Sequence, residues 1–392
     1  MALSQSFLVL AGLFLAGLAA DWLGTRTRLP RVTLLLLVGV VMGGAGFDLI
    51  PAEAVAWYEA LSVMALTMVA FLLGGSLTRK TLAAHGRAIL LISIAIVAVT
   101  LALVSAGAWL LGVPPGAALV IGAVATATAP AATEDIIRQS GAKGPFVDTI
   151  KGIVAIDDAW GMIAFSLALI FAIGLSGHAV QGNLLAEAGR DVFGAIGLGL
   201  AIGLPGAFLT GRISRGEPLQ TEALALVFLT AGLSLWLEVS FLLAGMTVGA
   251  VIVNFASHHD RAFHEIRHVQ WPFMLLFFLL AGATLEIETL RQIGLLGAAY
   301  VVLRIVARLI GGWLGARIAG RDPKEALLYG PALLPQAGVA VGMALVAAQE
   351  LPGSGEMILT LTIGSTVIFE LIGPLGTLWA LRRAGAVGRR GG

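Results

Sequence analysis

Residues Ile150 to Ile173 read IKGIVAIDDAWGMIAFSLALIFAI, an apolar stretch long enough to cross a bilayer, with Asp157 and Asp158 side by side in its middle. A carboxylate near the bilayer centre costs at least about 2.5 kcal/mol. Two adjacent ones are hard to explain as packing. Intramembrane acids face water-filled cavities and mark ion or proton paths, so this pair names the business of the chain.

The rest of the composition fits a membrane setting. Of 392 residues, 58% are hydrophobic and only 12% charged, with a mean hydropathy of +0.95. Soluble domains run to about 25% charged residues, so the chain reads as an all-α polytopic membrane protein without a soluble domain of any size. Its 51 glycines suit close helix packing in lipid. The absence of Cys excludes disulfides, thiol catalysis and thiolate metal sites. A net charge of +1 argues against nucleic acid as a partner. No nucleophile constellation or phosphate-binding glycine motif suggests an enzyme, and no cofactor is expected. No basic residue precedes Arg26, so the first apolar segment is expected to stay as a helix rather than be cleaved as a signal peptide.

At about 20 apolar residues per span, the sequence predicts thirteen helices, over 4–22, 31–45, 54–76, 88–111, 115–134, 147–174, 188–210, 219–236, 240–256, 270–285, 293–317, 325–348 and 356–380. With the N-terminus outside, the inner loops and the tail hold 20 of the 24 basic residues. Only Arg190 and Arg291 fall outside, and Arg304 and Arg308 lie within helix 11. The positive-inside rule then sets N-out, C-in, in a bacterial-type inner (plasma) membrane. The transporter domain is expected over 1–381, with 382–392 as a short cytoplasmic tail.

Helices 1–6 begin outside and helices 8–13 begin inside, with helix 7 as the link. Inverted six-helix repeats of this kind are a transporter layout. The fifth helix of each half is also interrupted. Helix 5 carries Thr126-Ala127-Thr128-Ala129-Pro130-Ala131-Ala132-Thr133, and helix 12 carries Gly330-Pro331-Ala332-Leu333-Leu334-Pro335-Gln336-Ala337-Gly338. Proline frees a carbonyl one turn earlier, which lipid does not tolerate unless protein or a water cavity satisfies it. One such break is an ordinary kink. A matched pair points to a substrate site.

Helix 6 brings Asp157 and Asp158, helix 11 brings Arg304 and Arg308 on one face, and helix 13 brings Glu370. Arginines opposite the aspartates would offset the burial cost and hold at least one acid ionised. A static salt bridge tying two helices is the plainer alternative, but one bridge does not need two adjacent acids. For Glu370 a structural hydrogen bond and a place in the ion pathway are equally open. Carboxylates suit a proton or a hard monovalent cation. Thr126, Thr128, Thr133 and the freed carbonyls beside Pro130 are expected to supply neutral oxygens, and the dipoles of the half-helices to compensate each other.

The Ala155-Ile156-Asp157-Asp158-Ala159-Trp160-Gly161 run, the Thr-Ala-Pro-Ala-Ala-Thr break and the Leu-Leu-Pro-Gln-Ala-Gly-Val-Ala-Val-Gly segment resemble the monovalent cation:proton antiporters, nearest to their two-aspartate branch of NapA-like and Kef-like proteins. The resemblance covers the membrane region, 1–381. It implies a sodium–proton antiporter fold with crossed broken helices, a homodimer, and a core of helices 4–6 and 11–13 moving in an elevator-like cycle. It also implies Asp158 as the principal cation and proton ligand and Asp157 as the partner of a basic residue in helix 11. That residue is commonly lysine in the branch, and Arg308 stands in its place. Arginine stays protonated where a lysine could deliver a proton, which puts two-for-one stoichiometry in question. A second departure is Ala129, where some relatives have aspartate.

Na+ (or Li+) against H+ is thus the expected exchange, with K+/H+ exchange as the runner-up. An ion channel or sensor, and a sodium-coupled organic-anion carrier, are the readings of other kinds. His258, His259, His264 and His268 read as a solvated, weakly basic loop, with pH sensing as the alternative. Glu134, Asp135, Arg138 and Lys143 read as interfacial charge, and Trp160 and Trp271 as packing.

Overall fold

The computed structural model describes residues 3–27, 30–175, 184–209, 218–256, 259–284, 294–336, 338–351 and 353–387. Among them the regular elements are all helices: α1 (Leu3–Thr27), α2 (Arg31–Met42), α3 (Ala52–Val55), α4 (Trp57–Gly74), α5 (Arg79–Leu110), α6 (Pro115–Val124), α7 (Pro130–Ser140), α8 (Pro145–Leu175), α9 (Leu184–Leu209), α10 (Pro218–Leu237), α11 (Phe241–Phe255), α12 (His259–Ala283), α13 (Gly294–Ile318), α14 (Pro323–Ala332), α15 (Gly338–Glu350) and α16 (Gly355–Arg383). Nine described helices are long and apolar enough to cross a membrane, and four shorter apolar ones lie among them. Exposed leucine, phenylalanine and tryptophan side chains along α1, α8, α9 and α13 give these helices the apolar surface that lipid requires.

Two compact units divide the chain. Unit 1 comprises Met1–Ala83 and Arg190–Leu285. Its core gathers Met68, Phe71, Val248, Ile252, Phe263 and Ile266, with the Phe71 and Phe263 rings stacked at 4.7 Å. In the same unit α2 and α12 touch backbone to backbone at Gly39 and Gly282, where a Cβ on Gly39 would collide with the Leu279 carbonyl. Small residues permit such an approach in lipid.

Unit 2 comprises Ala84–Gly189 and Glu286–Gly392 and contains both interrupted helices. The predicted break near Pro130 is present: α6 stops at Val124 and α7 starts at Pro130. Ala129 is extended (φ −108°, ψ 97°), as the ring of a following proline demands. The second break falls between α14, which ends at Ala332, and α15, which starts at Gly338. Asp322 caps the start of α14 by accepting from the Lys324 amide at 2.8 Å. The α13–α14 contact is glycine-made, since a Cβ on Gly312 would lie 2.5 Å from the Gly330 nitrogen.

Helix limits differ from expectation where polar residues continue a helix. α5 begins at Arg79 rather than 88, and α12 at His259 rather than 270. The first turns of α12 are amphipathic: Ala262, Phe263 and Ile266 are buried while His264, Arg267 and His268 are exposed. The histidine segment is therefore helical, not a loop, and the His264 and His268 rings meet edge to face at 4.2 Å. His258 and the side chain of His259 lie outside the described residues. α7 runs on to Ser140 and stops at Gly141, whose φ of +63° makes a left-handed cap.

Candidate ion-exchange site

The two breaks in unit 2 meet, and the Ala129 amide donates to the Pro335 carbonyl at 3.0 Å. A helix that stops inside the membrane leaves carbonyls without partners, and here side chains take up several of them. Arg304 donates through Nε to the Ala125 carbonyl (3.0 Å), through Nη2 to Ala127 (2.8 Å) and through Nη1 to Leu334 (2.8 Å). Arg308 Nη2 reaches the carbonyls of Ala127 (3.1 Å), Ala125 (3.4 Å) and Thr126. Gln336 Nε2 donates to Val124 (3.2 Å) and to the Tyr300 hydroxyl oxygen (3.3 Å). The Thr377 hydroxyl donates to Ala332 at 2.9 Å.

This arrangement revises two expectations. The carbonyls of Ala125, Thr126 and Ala127, freed ahead of Pro130, already accept from guanidinium groups rather than standing open. The half-helix dipoles do not simply offset one another either: the C-terminal ends of α6 and α14 both send carbonyls to Arg304, a cation at two negative helix ends. Arg304 is fully buried, and its guanidinium carbon sits 4.2 Å above the Phe369 ring.

Asp157 is completely buried on α8. Its Oδ2 accepts from the Thr128 hydroxyl at 2.9 Å and lies 3.5 Å from Arg308 Nη1. Its Oδ1 has no hydrogen-bond partner among the described residues. Of the two arginines expected as partners, Arg308 makes the described ion pair, while the hydrogen bonds described for Arg304 go to carbonyls. Asp158 is the next residue of α8, and its side chain lies outside the described residues. The Thr126 and Thr133 hydroxyls donate into their own chain, to Ala123 at 2.6 Å and Ala129 at 3.2 Å, so only Thr128 turns to Asp157.

Glu370 lies half-buried in α16, with Oε2 shielded and without a hydrogen-bond partner among the described residues. Its neighbour Phe369 carries Arg304. The charges predicted to be interfacial are not all at a surface. Glu134 and Asp135 are 8% and 2% exposed, with Lys151 Nζ 3.1 Å from Glu134 Oε1 and Arg138 2.9 Å from Asp135. Tyr300, Phe369 and Thr377 went unremarked in the sequence. Tyr300, Arg304 and Arg308 are spaced by four along α13, a stripe of polar side chains on one face that could have flagged the tyrosine.

A multi-pass helical bundle with two crossed, arginine-clasped breaks beside a buried aspartate defines a secondary cation–proton antiporter. Residues 8–383 match the family described as Sodium/hydrogen exchanger, transmembrane, and the chain belongs to that family, which is one of transporters. Among curated proteins it is 24% identical over 348 residues to the Ammonium/H(+) antiporter subunit AmhT of Alkalihalophilus pseudofirmus, covering 87% of this chain and 85% of that one. Its fold matches the sodium proton antiporter MjNhaP1 of Methanocaldococcus jannaschii. The structure at pH 8 gives a TM-score of 0.74 at 20% identity over 99% of this chain and 98% of that one. An electron-microscopy structure of the same antiporter gives 0.75 at 18% identity over 98% and 96%. The antiport expected from the sequence stands, and the channel, sensor and organic-anion carrier readings are not favoured.

Proposed function

We propose that Na+ (or Li+) and H+ displace one another at Asp158, with Asp157 beside it paired to Arg308 and hydrogen-bonded by Thr128. The observation that carries this is the clasp at the first break. Fully buried Arg308 pairs with Asp157 while fully buried Arg304 binds the carbonyls of both breaks beside it, and the residue encoding a second acid is the immediate neighbour of Asp157. The engaged carbonyls support a small ion. With the Ala125, Thr126 and Ala127 carbonyls engaged by arginine, carboxylate oxygens of high field strength weigh more in the site, and field strength is one determinant of cation selectivity.

Arg308 does not lend a proton, because guanidinium stays protonated and here serves three carbonyls and Asp157. Unit 2, which contains both breaks, both arginines and both aspartates, is proposed as the moving core of an alternating-access, elevator-like cycle, with unit 1 as the dimerisation domain. The inverted repeats 1–6 and 8–13, the homodimer, and an inner-membrane placement with N-out, C-in orientation belong to the same proposal. The likeness to an ammonium antiporter subunit makes NH4+ a competing cargo, alongside K+.

The test is proton flux in proteoliposomes on adding Na+, Li+, K+ and NH4+ in turn. The proposal expects Na+ and Li+ to dissipate a pH gradient at the lowest concentrations. A faster response to K+ than to Na+, or to NH4+ once the response of protein-free liposomes is subtracted, would reverse the assignment of the ion.

A further inference from the structure

Glu134 and Lys151 are not used by the exchange chemistry described above, yet their placement is specific. α7 leads away from the first break and α8 returns to it, so the two form a hairpin around the turn at Gly141–Gly144. The Thr128–Asp157 hydrogen bond marks the inner end of that hairpin. Six residues outward along each arm, about 9 Å of helical rise on α8, Glu134 faces Lys151. Lys151 Nζ is 3.1 Å from both Glu134 oxygens, donating to Oε1, while Oε2 has no hydrogen bond among the described residues. The Glu134 side chain is 10% exposed, whereas that of Lys151 is 24% exposed. The next acid, Asp135, is engaged by Arg138 at 2.9 Å. Position 151 lies two helical turns before Asp158 on α8, within about 20° of the same face.

We propose that Glu134 is a way-station for the monovalent cation toward the outer end of the α7–α8 hairpin, with the Lys151 ammonium as its resident occupant until the cation displaces it. Lys151 holds Glu134 as a single point charge equidistant from both oxygens, the geometry in which a bare cation can substitute. An ammonium on a flexible stem with an exposed flank can swing aside, whereas a forked guanidinium pair would lock. The inference rests on antiport through Asp158, because a waiting site has meaning only on a path to the exchanging acid.

The test is cation-dependent proton flux in right-side-out and inside-out vesicles, comparing wild type with Glu134→Gln, Lys151→Gln and the double variant. From the α7–α8 side only, Glu134→Gln raises the cation KM roughly three- to fivefold, the scale of one partly screened ion pair. Lys151→Gln lowers it by removing the competitor, and the double variant follows Glu134→Gln. Maximal rates and the KM from the opposite side stay within about twofold, below the change expected from the α7–α8 side. A structural salt bridge gives the reverse pattern: both single variants impair transport in the same direction and the double neutral variant recovers. That pattern, or an unchanged KM in both single variants, overturns the proposal while leaving exchange at Asp158 standing.

Discussion

Arg304→Met is the substitution whose cost follows most directly from the carbonyl accounting. The side chain makes three hydrogen bonds to the carbonyls of Ala125, Ala127 and Leu334, and its guanidinium stacks on Phe369. Hydrogen bonds to a charged group contribute about 1.5–3 kcal/mol each, and a desolvated cation–π contact about 2 kcal/mol. Removing the arginine also removes the penalty of burying its charge, several kcal/mol, so these contributions do not simply add. What remains is the Leu334 carbonyl without its donor and the Ala125 and Ala127 carbonyls held by Arg308 alone; at about 1–3 kcal/mol for an unsatisfied buried group, plus the weakened bonds, the net loss is on the order of 2–4 kcal/mol. Arg304→Lys recovers only part of it, because one ammonium cannot reproduce a fork spanning both breaks. The assay is unfolding in mixed micelles of increasing denaturing-detergent content, with wild type and both variants purified alike. Coincident midpoints for Arg304→Met and wild type would refute the claim that this arginine holds the crossing together.

Gly373→Ala places a Cβ 2.5 Å from the Pro335 Cα, a backbone atom that cannot rotate away, so α16 is pushed off the second break. Transport is expected to fall by at least about tenfold, the equivalent of 1.4 kcal/mol on the barrier, with near-normal expression; unaltered flux would show the contact to be slack. Thr128→Val removes the hydroxyl that donates to Asp157 Oδ2 and is expected to weaken cation affinity more than maximal rate, as read from KM in proteoliposomes. Competition for one acid also sets a pH dependence. A group that must lose its proton before the cation binds shows an apparent KM rising as pH falls, approaching about tenfold per unit below its own titration, with maximal rate little changed. A KM independent of pH across the active range would mean that proton and cation do not share a group.

How much of this was legible in the sequence depends on which residues are considered. The matched breaks were readable because Pro130 and Pro335 have local, obligatory effects on backbone donors. The burial of Arg304 and Arg308 was readable because an apolar segment surrounds them. Their hydrogen-bond partners were not. Facing acids suggested salt bridges, but a carbonyl has no sequence signature, and Arg304 divides its hydrogen bonds between Ala125, Ala127 and Leu334, contributed by both breaks. Glu134 and Asp135 were misread as surface charge because hydropathy falls there, although Lys151 and Arg138 neutralise them within the fold. Helix ends at Arg79 and His259 were missed for a related reason. Amphipathic turns carry little mean hydropathy, yet they remain helical when one face packs.

The central claim is that one acid, Asp158, takes proton and cation in turn. Asp158→Asn, reconstituted at wild-type density with an imposed pH gradient, tests it most directly. The account predicts that Na+ or Li+ added outside no longer releases the gradient while the protein remains folded. Normal cation-dependent proton flux from that variant would contradict it.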